Sequence, residues 1–344
     1  MSQKKLGMIG YLADRNDLYD GQTIRTKSVY NELIRKGYKI SMVDTSNWKK
    51  CPLLVFLKVV KVLFSFDNVI LIVSIGGRKV LIPLLYGLNI VAKKKIHHIV
   101  IGGNLPANVE TYPRWVKYLN SFHGNYVQAI KMQEKLSRQG IDNARHFPNF
   151  KRLAILSEHD IPIPAKPYKL CTFSRIIKEK GIEEAVAAVK EINESEPGQL
   201  YELDIYGKVD AKYEDEFYKL VRAMPEYIRY KGSVPHERSV EVLKNYYLLL
   251  FPTYYEGEGF PGTVIDAFSS ALPVIASDWR YNAEIIQEKI TGRLFPVGDL
   301  ARLTLILRHY GKHPEEVFVM KKNCLKEAYK YRPEKVIQVL LNEL

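Results

Sequence analysis

The sequence has few cysteines, and its apolar runs are short. Only Cys51, Cys171 and Cys324 occur among 344 residues. They lie far apart, are odd in number and have no C-x-x-C spacing, which argues against a disulfide framework and a structural zinc site. The longest apolar stretch, residues 80–92, is interrupted by a proline and a glycine and is shorter than the 18 or more residues of a membrane span. We therefore expect a soluble, cytoplasmic protein, or one that sits on a membrane.

The amino terminus lacks the features of a cleavable signal. Its apolar stretch, residues 6–13, is short and runs into Asp14 without a small-residue cleavage site, so we interpret it as a first strand.

Acidic residues are scarce in the first half of the chain. Residues 1–150 contain 23 basic and nine acidic residues (+14), whereas residues 151–344 contain 28 and 29 (−1), for a net charge of +13. The first half therefore carries all of the excess positive charge. This indicates an anionic partner: a nucleic acid, a membrane surface or a phosphorylated substrate.

Both halves alternate short apolar strands with amphipathic helices, a pattern typical of parallel sheets covered by helices on both faces. A proline-rich connector, residues 148–167, separates them. A chain of this length exceeds one hydrophobic core, so we expect two Rossmann-type domains. The predicted strands are residues 5–10, 38–43, 68–74, 96–101, 126–130, 169–173, 200–206, 228–232, 247–251 and 273–276. The predicted helices are residues 23–36, 53–64, 79–92, 133–139, 181–195, 214–224, 238–245 and 263–271.

The most informative segment is a glycine-rich loop, residues 252–262, between a buried strand and a helix that starts near Thr263. Backbone N–H groups at a helix start form an anion site, and glycines let a ligand approach the backbone closely. Glu258 in this loop would accept hydrogen bonds from sugar hydroxyls. The alternative is an ordinary strand-to-helix turn, in which Thr263 and Asp266 form a capping box.

A second segment, residues 173–181, follows the first strand of the second half. It carries Arg175 and Lys180 at the strand's carboxyl end, where two cations could hold a diphosphate. The alternative is surface charge around a helix start.

These segments belong to an ordered series that resembles glycosyltransferase family 4, the retaining glycosyltransferases of the GT-B fold. The matching residues are Arg175, Lys180-Gly181, Tyr206-Gly207, Gly232-Ser233-Val234, Pro252, Glu258-Gly259-Phe260-Pro261, Asp266-Ala267, Pro273–Asp278, Glu284-Ile285-Ile286 and Thr291-Gly292. The resemblance implies an α/β protein with two Rossmann-like domains facing a central cleft. It places an acceptor domain at 1–150 plus about 331–344 and a nucleotide-sugar domain at 151–330.

The resemblance also implies roles for individual residues. Glu258 would bind the donor sugar, with backbone from Gly259, Phe260 and Pro261 around it. Asp266, one methylene shorter than the family's glutamate, would hold the ribose. Arg175 and Lys180 would bind the diphosphate together with amides of Thr263 and Val264.

The implied reaction moves a sugar from a nucleotide-sugar, with UDP the family's commonest carrier, to a glycan or polyprenyl-diphosphate-linked acceptor in polysaccharide or glycoconjugate synthesis. Because no D-x-D sequence occurs in the chain, we expect a metal-independent enzyme without a cofactor, in which fixed cations neutralise the leaving group. We assign no general base.

In the first half, the family has a glycine-rich loop where this chain has residues 19–23. Gly21 is therefore a candidate for the donor phosphates and Thr23 for the acceptor, the alternative being a turn with a helix cap at Thr23. After the fourth strand, Gly103 and Asn104 occupy the place where many relatives have a histidine. His97 and His98 fall within the strand, and we interpret them as structural.

Residues 53–66 form a very apolar helix that carries Lys58 and Lys61. It is either an interfacial helix that docks on anionic lipid at the cytoplasmic membrane face, or a core helix whose lysines reach solvent.

Three other functions remain. A sugar-nucleotide epimerase would need acid and base groups that the motifs do not supply. A GT-B scaffold without turnover would share the donor motifs. A basic nucleic-acid-binding protein accounts for the charge but lacks recognisable nucleic-acid motifs, so we expect no nucleic acid among the partners.

Overall fold

The computed structural model describes residues 4–12 and 21–344. The chain forms two compact units, residues 1–151 with 333–344, and residues 152–332. The predicted boundaries at 150/151 and 330/331 lie within two residues of these limits. Each unit contains its own six-stranded sheet.

The amino-terminal unit has a parallel sheet in the order β2-β1-β3-β4-β5-β6. Its strands are β1 (Lys5–Gly10), β2 (Lys39–Asp44), β3 (Asn68–Val73), β4 (Lys95–Val100), β5 (Gly124–Val127) and β6 (Ala144–His146). Its helices are α1 (Gly21–Arg35), α2 (Pro52–Ser65), α3 (Ile75–Ala92), α4 (Leu105–Thr111), α5 (Trp115–Asn120), α6 (Ile130–Arg138) and, after the second unit, α14 (Pro333–Val336) and α15 (Gln338–Leu341).

The helices of this unit cover the sheet in two layers. The β2-to-β3 and β3-to-β4 crossovers run in one direction across the sheet and the β1-to-β2 crossover runs in the other. Right-handed connections therefore place α2 and α3 on one face and α1 on the other. On the α1 face, Leu33 packs in one buried cluster with Met8 of β1 and with Ile337 and Leu340 of the carboxyl-terminal segment. On the α2 face, β1 approaches so closely that a Cβ at Gly7 would lie 2.5 Å from Cγ1 of Val62.

Helix α3 differs from its predicted extent. It begins at Ile75 and has 18 residues, so it is long and apolar enough by length and composition to cross a membrane, with 22% of it buried. The expectation that this segment falls short of spanning length is therefore wrong. The helix joins the adjacent parallel strands β3 and β4, and its Leu81, Ile82 and Leu85 are buried. It serves here as a crossover helix of the sheet.

The carboxyl-terminal unit has a parallel sheet in the order β12-β11-β10-β7-β8-β9. Its strands are β7 (Tyr168–Phe173), β8 (Tyr201–Tyr206), β9 (Ile228–Tyr230), β10 (Leu248–Phe251), β11 (Val274–Ser277) and β12 (Gly292–Phe295). Its helices are α7 (Ile182–Ser195), α8 (Glu214–Arg222), α9 (Ser239–Leu243), α10 (Gly262–Ser269), α11 (Asn282–Ile285), α12 (Leu300–Lys312) and α13 (Pro314–Ala328). Short 3-10 helices at Glu158–Asp160, Lys178–Lys180, His236–Arg238 and Tyr329–Tyr331 complete the chain.

Both sheets reverse their strand order once, between β1 and β3 in the first unit and between β7 and β10 in the second. At such a point the loops leaving two neighbouring strands diverge to opposite faces. Ligands of doubly wound sheets bind there, at the carboxyl ends of the strands. The prediction of an α/β fold with two Rossmann-like sheets is confirmed.

Candidate functional site

The candidate site lies where β7 and β10 end side by side. The loop after β7 leads through the 3-10 helix Lys178–Lys180 to Gly181, and the loop after β10 begins at Pro252. Gly181 has φ +68°, and a Cβ there would lie 2.1 Å from the Pro252 carbonyl oxygen. Only glycine permits this backbone approach, which brings the two loops together.

An ion pair joins the two loops. The Lys180 ammonium donates to Oε2 of Glu258, and the two side chains are 10% and 9% exposed. The Thr253 hydroxyl donates to the same oxygen at 3.2 Å. The second oxygen of Glu258, Oε1, accepts no hydrogen bond from the described residues, so it is available to a ligand.

Arg175 lies beside this pair. Its guanidinium carbon is 5.6 Å from the centre of the Tyr255 ring, and the Lys180 ammonium is 5.2 Å from the same ring. The side chain is 46% exposed, and its Nη1 is 4.0 Å from a carboxylate oxygen of Asp210. Tyr255 therefore lies against both cations, one buried and fixed by Glu258 and the other open to solvent.

The start of α10 forms the third wall of the site. The Thr263 hydroxyl donates to the Phe173 carbonyl at 2.6 Å, which ties the helix to the end of β7. The Val264 amide donates to the Pro261 carbonyl at 3.1 Å, so the prediction of a free Val264 amide is wrong. Gly259, Phe260 and Pro261 form the turn that enters the helix, and the Phe260 ring packs edge-on against Tyr331 at 4.9 Å.

Asp266 is buried, with 2% of its surface exposed. It is the fifth residue of α10, and its Oδ1 accepts a hydrogen bond from the Ser239 hydroxyl at 2.9 Å. The capping-box alternative is wrong, because the helix begins at Gly262 and neither Thr263 nor Asp266 caps it.

Surrounding contacts hold the loop after β10 in place. The Trp279 indole donates to the Tyr255 carbonyl at 2.9 Å, and the Ser277 hydroxyl donates to the Thr253 carbonyl. Below the loop, the Lys321 ammonium donates at 2.6 Å to the carbonyl of Tyr246, just before β10, and its burial lowers the pKa of Lys321 to about 8. The site is therefore built on fixed backbone.

Sequence reasoning found both cations and the carboxylate but missed Thr253, Tyr255 and Asp210. Tyr255 could have been found from the sequence, because it is an aromatic residue four positions after a buried strand, in a loop that is predicted to form the site. No comparable signal marks Asp210, whose amide donates to the Ile176 carbonyl at 3.0 Å and so lies beside the loop after β7.

The candidates in the amino-terminal unit lie at the carboxyl edge of its sheet. Gly21 is the first residue of α1, and Thr23, the third, is buried, so the alternative of a helix cap at Thr23 is wrong. Tyr19 and Asp20 of the predicted loop lie outside the described residues. Gly103 follows β4, and Asn104 is the residue that precedes α4.

The strand histidines are structural, as predicted. The His97 ring lies 3.0 Å from both Asn68 Oδ1 and the Tyr126 hydroxyl, and His98 donates from Nδ1 to Asn125 Oδ1 at 3.0 Å. Burial, reinforced by nearby positive charge, lowers the pKa of both histidines to about 3. Both rings are therefore neutral at physiological pH.

Metal-ligand side chains converge at one place in the described part of the chain, at His313, Glu315 and Glu316. All three are exposed at the α12–α13 junction, and His313 already pairs with Glu315 at 3.1 Å. We assign no metal site to this cluster.

Comparison with known proteins shows which family the carboxyl-terminal unit resembles. Residues 157–326 match the family described as "Glycosyl transferases group 1". The GtfA subunit of the UDP-N-acetylglucosamine–peptide N-acetylglucosaminyltransferase of Streptococcus gordonii is 36% identical over 137 residues, which are 39% of this chain and 25% of the relative. The amylovoran biosynthesis glycosyltransferase AmsK of Erwinia amylovora is 25% identical over 146 residues, 41% of this chain and 35% of AmsK.

The whole chain resembles a solved structure. HepE of Anabaena, in complex with UDP and glucose, superposes with a TM-score of 0.76 at 12% sequence identity, covering 98% of both chains. The fold and the ordered loops thus define a GT-B protein. The segment 157–326, which contains the candidate site, matches the group 1 glycosyltransferases, also called glycosyltransferase family 4. The aligned part spans between a quarter and two-fifths of the curated relatives.

Proposed function

We propose that the protein is a retaining glycosyltransferase that moves a sugar from a nucleotide-sugar, a UDP-sugar, to a glycan or lipid-linked saccharide. The observation that carries the proposal is the corner formed by Arg175, Lys180 and Glu258 at the strand-order reversal of the second sheet. One protein of similar fold and one relative in sequence support the choice of carrier. HepE was crystallised with UDP, and the S. gordonii relative is named for a UDP-sugar donor.

The proposed chemistry follows from the charges at this corner. Breaking the bond between the anomeric carbon and the β-phosphate oxygen leaves negative charge on the nucleotide. Arg175 presents an exposed guanidinium, Lys180 a fixed ammonium and α10 its amino terminus, and all three stabilise that charge as it develops.

Glu258 has two tasks in this proposal. Its Oε2 neutralises the buried Lys180 before a donor binds, so the ammonium is positioned without an isolated buried charge. Its Oε1 accepts a hydrogen bond from a hydroxyl of the transferred sugar. Gly259, Phe260 and Pro261 then contribute backbone around that sugar, Thr263 an amide to the diphosphate, and Asp266 a ribose contact.

The amino-terminal unit is proposed to bind the acceptor. Thr23, Gly103 and Asn104 lie at the carboxyl edge of its sheet, and Gly21 at the same edge is proposed to face the donor phosphates. The positive charge of this half suits an acceptor that carries diphosphate.

The test is sugar transfer from a panel of UDP-sugars, including UDP-glucose and UDP-N-acetylglucosamine, to a glycan acceptor pool with EDTA present. We expect transfer that survives the chelator and that Glu258→Gln lowers at least 100-fold. Glu256→Gln is the matched control, because Glu256 lies two residues away, is exposed and pairs with Arg280.

Three outcomes would count against the proposal. Donor binding without transfer indicates a GT-B scaffold. Strict dependence on Mn²⁺ or Mg²⁺ contradicts the neutralisation by Arg175 and Lys180. Salt-sensitive binding to nucleic acid without donor binding favours the nucleic-acid alternative.

A further inference from the structure

The first half of α2 and the turn before it expose large apolar side chains to solvent. We call this the apolar tip: Trp48, Leu53, Leu54, Phe56 and Leu57, which are 43%, 69%, 51%, 41% and 55% exposed. An open apolar hollow runs beside it, lined by Cys51 and Pro52 together with three of the tip leucines. Contiguous exposed apolar surface of this kind marks an interaction site.

The second half of α2 holds the helix on the sheet. Val59, Val62 and Leu63 are buried, and Val62 contacts β1 at Gly7. The helix is thus anchored at its carboxyl end while its amino-terminal turns stand clear of the core. The predicted core helix is therefore correct for the second half of residues 53–66 only.

Basic residues lie on both sides of the apolar tip along the chain. Lys49, Lys50, Lys58 and Lys61 are all exposed, and none has an ion pair within the described part of the chain. Residues 45–66 contain no aspartate or glutamate. Exposed apolar side chains flanked by unpaired lysines match the boundary between acyl chains and anionic headgroups.

The position of the tip in the fold is informative. Helix α2 follows β2, so its first turns lie at the carboxyl edge of the sheet. That edge also holds the start of α1 and the Gly103–Asn104 turn after β4. A surface bound to the tip would lie beside the edge proposed for the acceptor.

We propose that the apolar tip inserts into the interface of an anionic lipid bilayer, at the cytoplasmic membrane face, and that the flanking lysines bind its headgroups. Membrane docking would deliver a lipid-linked saccharide to the adjacent sheet edge, and this consequence rests on the proposed function. Docking itself requires neither donor nor turnover. The docking proposal and the proposed function can therefore fail separately.

The experiment is flotation of the purified full chain with vesicles of phosphatidylglycerol and phosphatidylcholine, and with phosphatidylcholine alone. We expect the wild type to float with the anionic vesicles and to be released by high salt. Lys58→Glu with Lys61→Glu is expected to weaken binding at least about 30-fold, since each lysine near such a surface contributes about fivefold. Leu53→Ser with Leu54→Ser is expected to weaken binding more than tenfold on the same vesicles.

Matched controls distinguish a specific effect of the apolar tip from an effect of net charge or of misfolding. Lys135→Glu with Lys219→Glu makes the same change in net charge at exposed lysines of α6 and α8 and is expected to float like the wild type. Leu305→Ser replaces a leucine of the other unit that is 55% exposed and is also expected to be silent. Unchanged circular dichroism spectra and thermal unfolding midpoints of all variants report intact folding.

The proposal is overturned if both tip variants float as well as the wild type. It is also overturned if the wild type fails to float while light scattering shows a tip-dependent oligomer, because the occupant is then a second protein copy. Flotation lost equally in tip and control variants would show unspecific charge attraction and would likewise refute it.

Discussion

The buried pair between Lys180 and Glu258 makes a specific energetic prediction. Replacing Lys180 by methionine leaves a carboxylate that is 9% exposed without its cation, and the Thr253 hydroxyl is then its one donor among the described residues. Removing one partner of a buried pair costs about 3 kcal/mol, whereas replacing both with neutral side chains costs much less. Lys180→Met combined with Glu258→Gln should therefore be about 2 kcal/mol less destabilising than the sum of the single changes.

The assay is urea unfolding followed by a single tryptophan. The chain has three tryptophans, and Trp48→Phe with Trp115→Phe leaves Trp279, whose indole donates to the Tyr255 carbonyl in the site loop. The fluorescence of Trp279 then follows unfolding at the site loop and gives the free energy of unfolding of each variant. Additivity of the two changes within about 0.5 kcal/mol would refute the coupling.

The same variants separate stability from catalysis. Lys180→Met should lower sugar transfer 100- to 1,000-fold even where the variant is fully folded, because a donor to the leaving group is lost. Lys178→Met, in the same 3-10 helix but exposed and 3.5 Å from Glu216, is the control and should retain transfer. Equal losses in both variants would contradict the assignment.

Three further predictions concern other parts of the fold. Arg175→Lys should leave the unfolding midpoint unchanged but lower transfer at least tenfold, because the fork that binds phosphate is lost; unchanged transfer would exclude Arg175 from the site. Gly181→Ala should abolish UDP binding in a titration, since its Cβ would lie 2.1 Å from a carbonyl oxygen, while Gly298→Ala, at φ +75° with nothing within 4 Å, should keep it. His97 and His98 have a pKa of about 3 in the folded protein and about 6.5 in the unfolded chain, so the unfolded chain binds more protons between these pH values. The free energy of unfolding in urea should therefore fall as the pH falls from about 6.5 towards 3. The expected slope is up to about 1.4 kcal/mol per pH unit for each histidine. A His97→Gln/His98→Asn variant should have a flatter profile, and an equally steep one would show that other groups dominate.

Strand positions could be predicted from sequence because buried parallel strands are continuous apolar runs. Nine of the strands lie within two residues of the predicted ends, but the predicted strand at 126–130 occupies Gly124–Val127 instead. Short edge strands carry a weak apolar signal: of the three edge strands with three or four residues, Ile228–Tyr230 is predicted, whereas Ala144–His146 and Gly292–Phe295 are not. Helices α12 and α13 are not among the predicted helices, although their buried stripes follow the helical period.

The site could be predicted in part. Motif order identified Arg175, Lys180 and Glu258, and the structure brings these three together around Tyr255. The sequence could not show that Lys180 and Glu258 neutralise one another, since 78 residues separate them and their contact depends on strand order. Nor could it divide α2 into a buried and an exposed half, because both halves have the same apolar composition.

The central claim is that the corner at the ends of β7 and β10 binds the diphosphate of the donor. A crystal structure of the protein with UDP tests it most directly. We predict phosphate oxygens within hydrogen-bond distance of Arg175 and of the Lys180 ammonium, with the nucleotide beside the start of α10. A nucleotide bound elsewhere, with Lys180 and Glu258 paired as they are in the free protein and Arg175 facing solvent, would contradict the account.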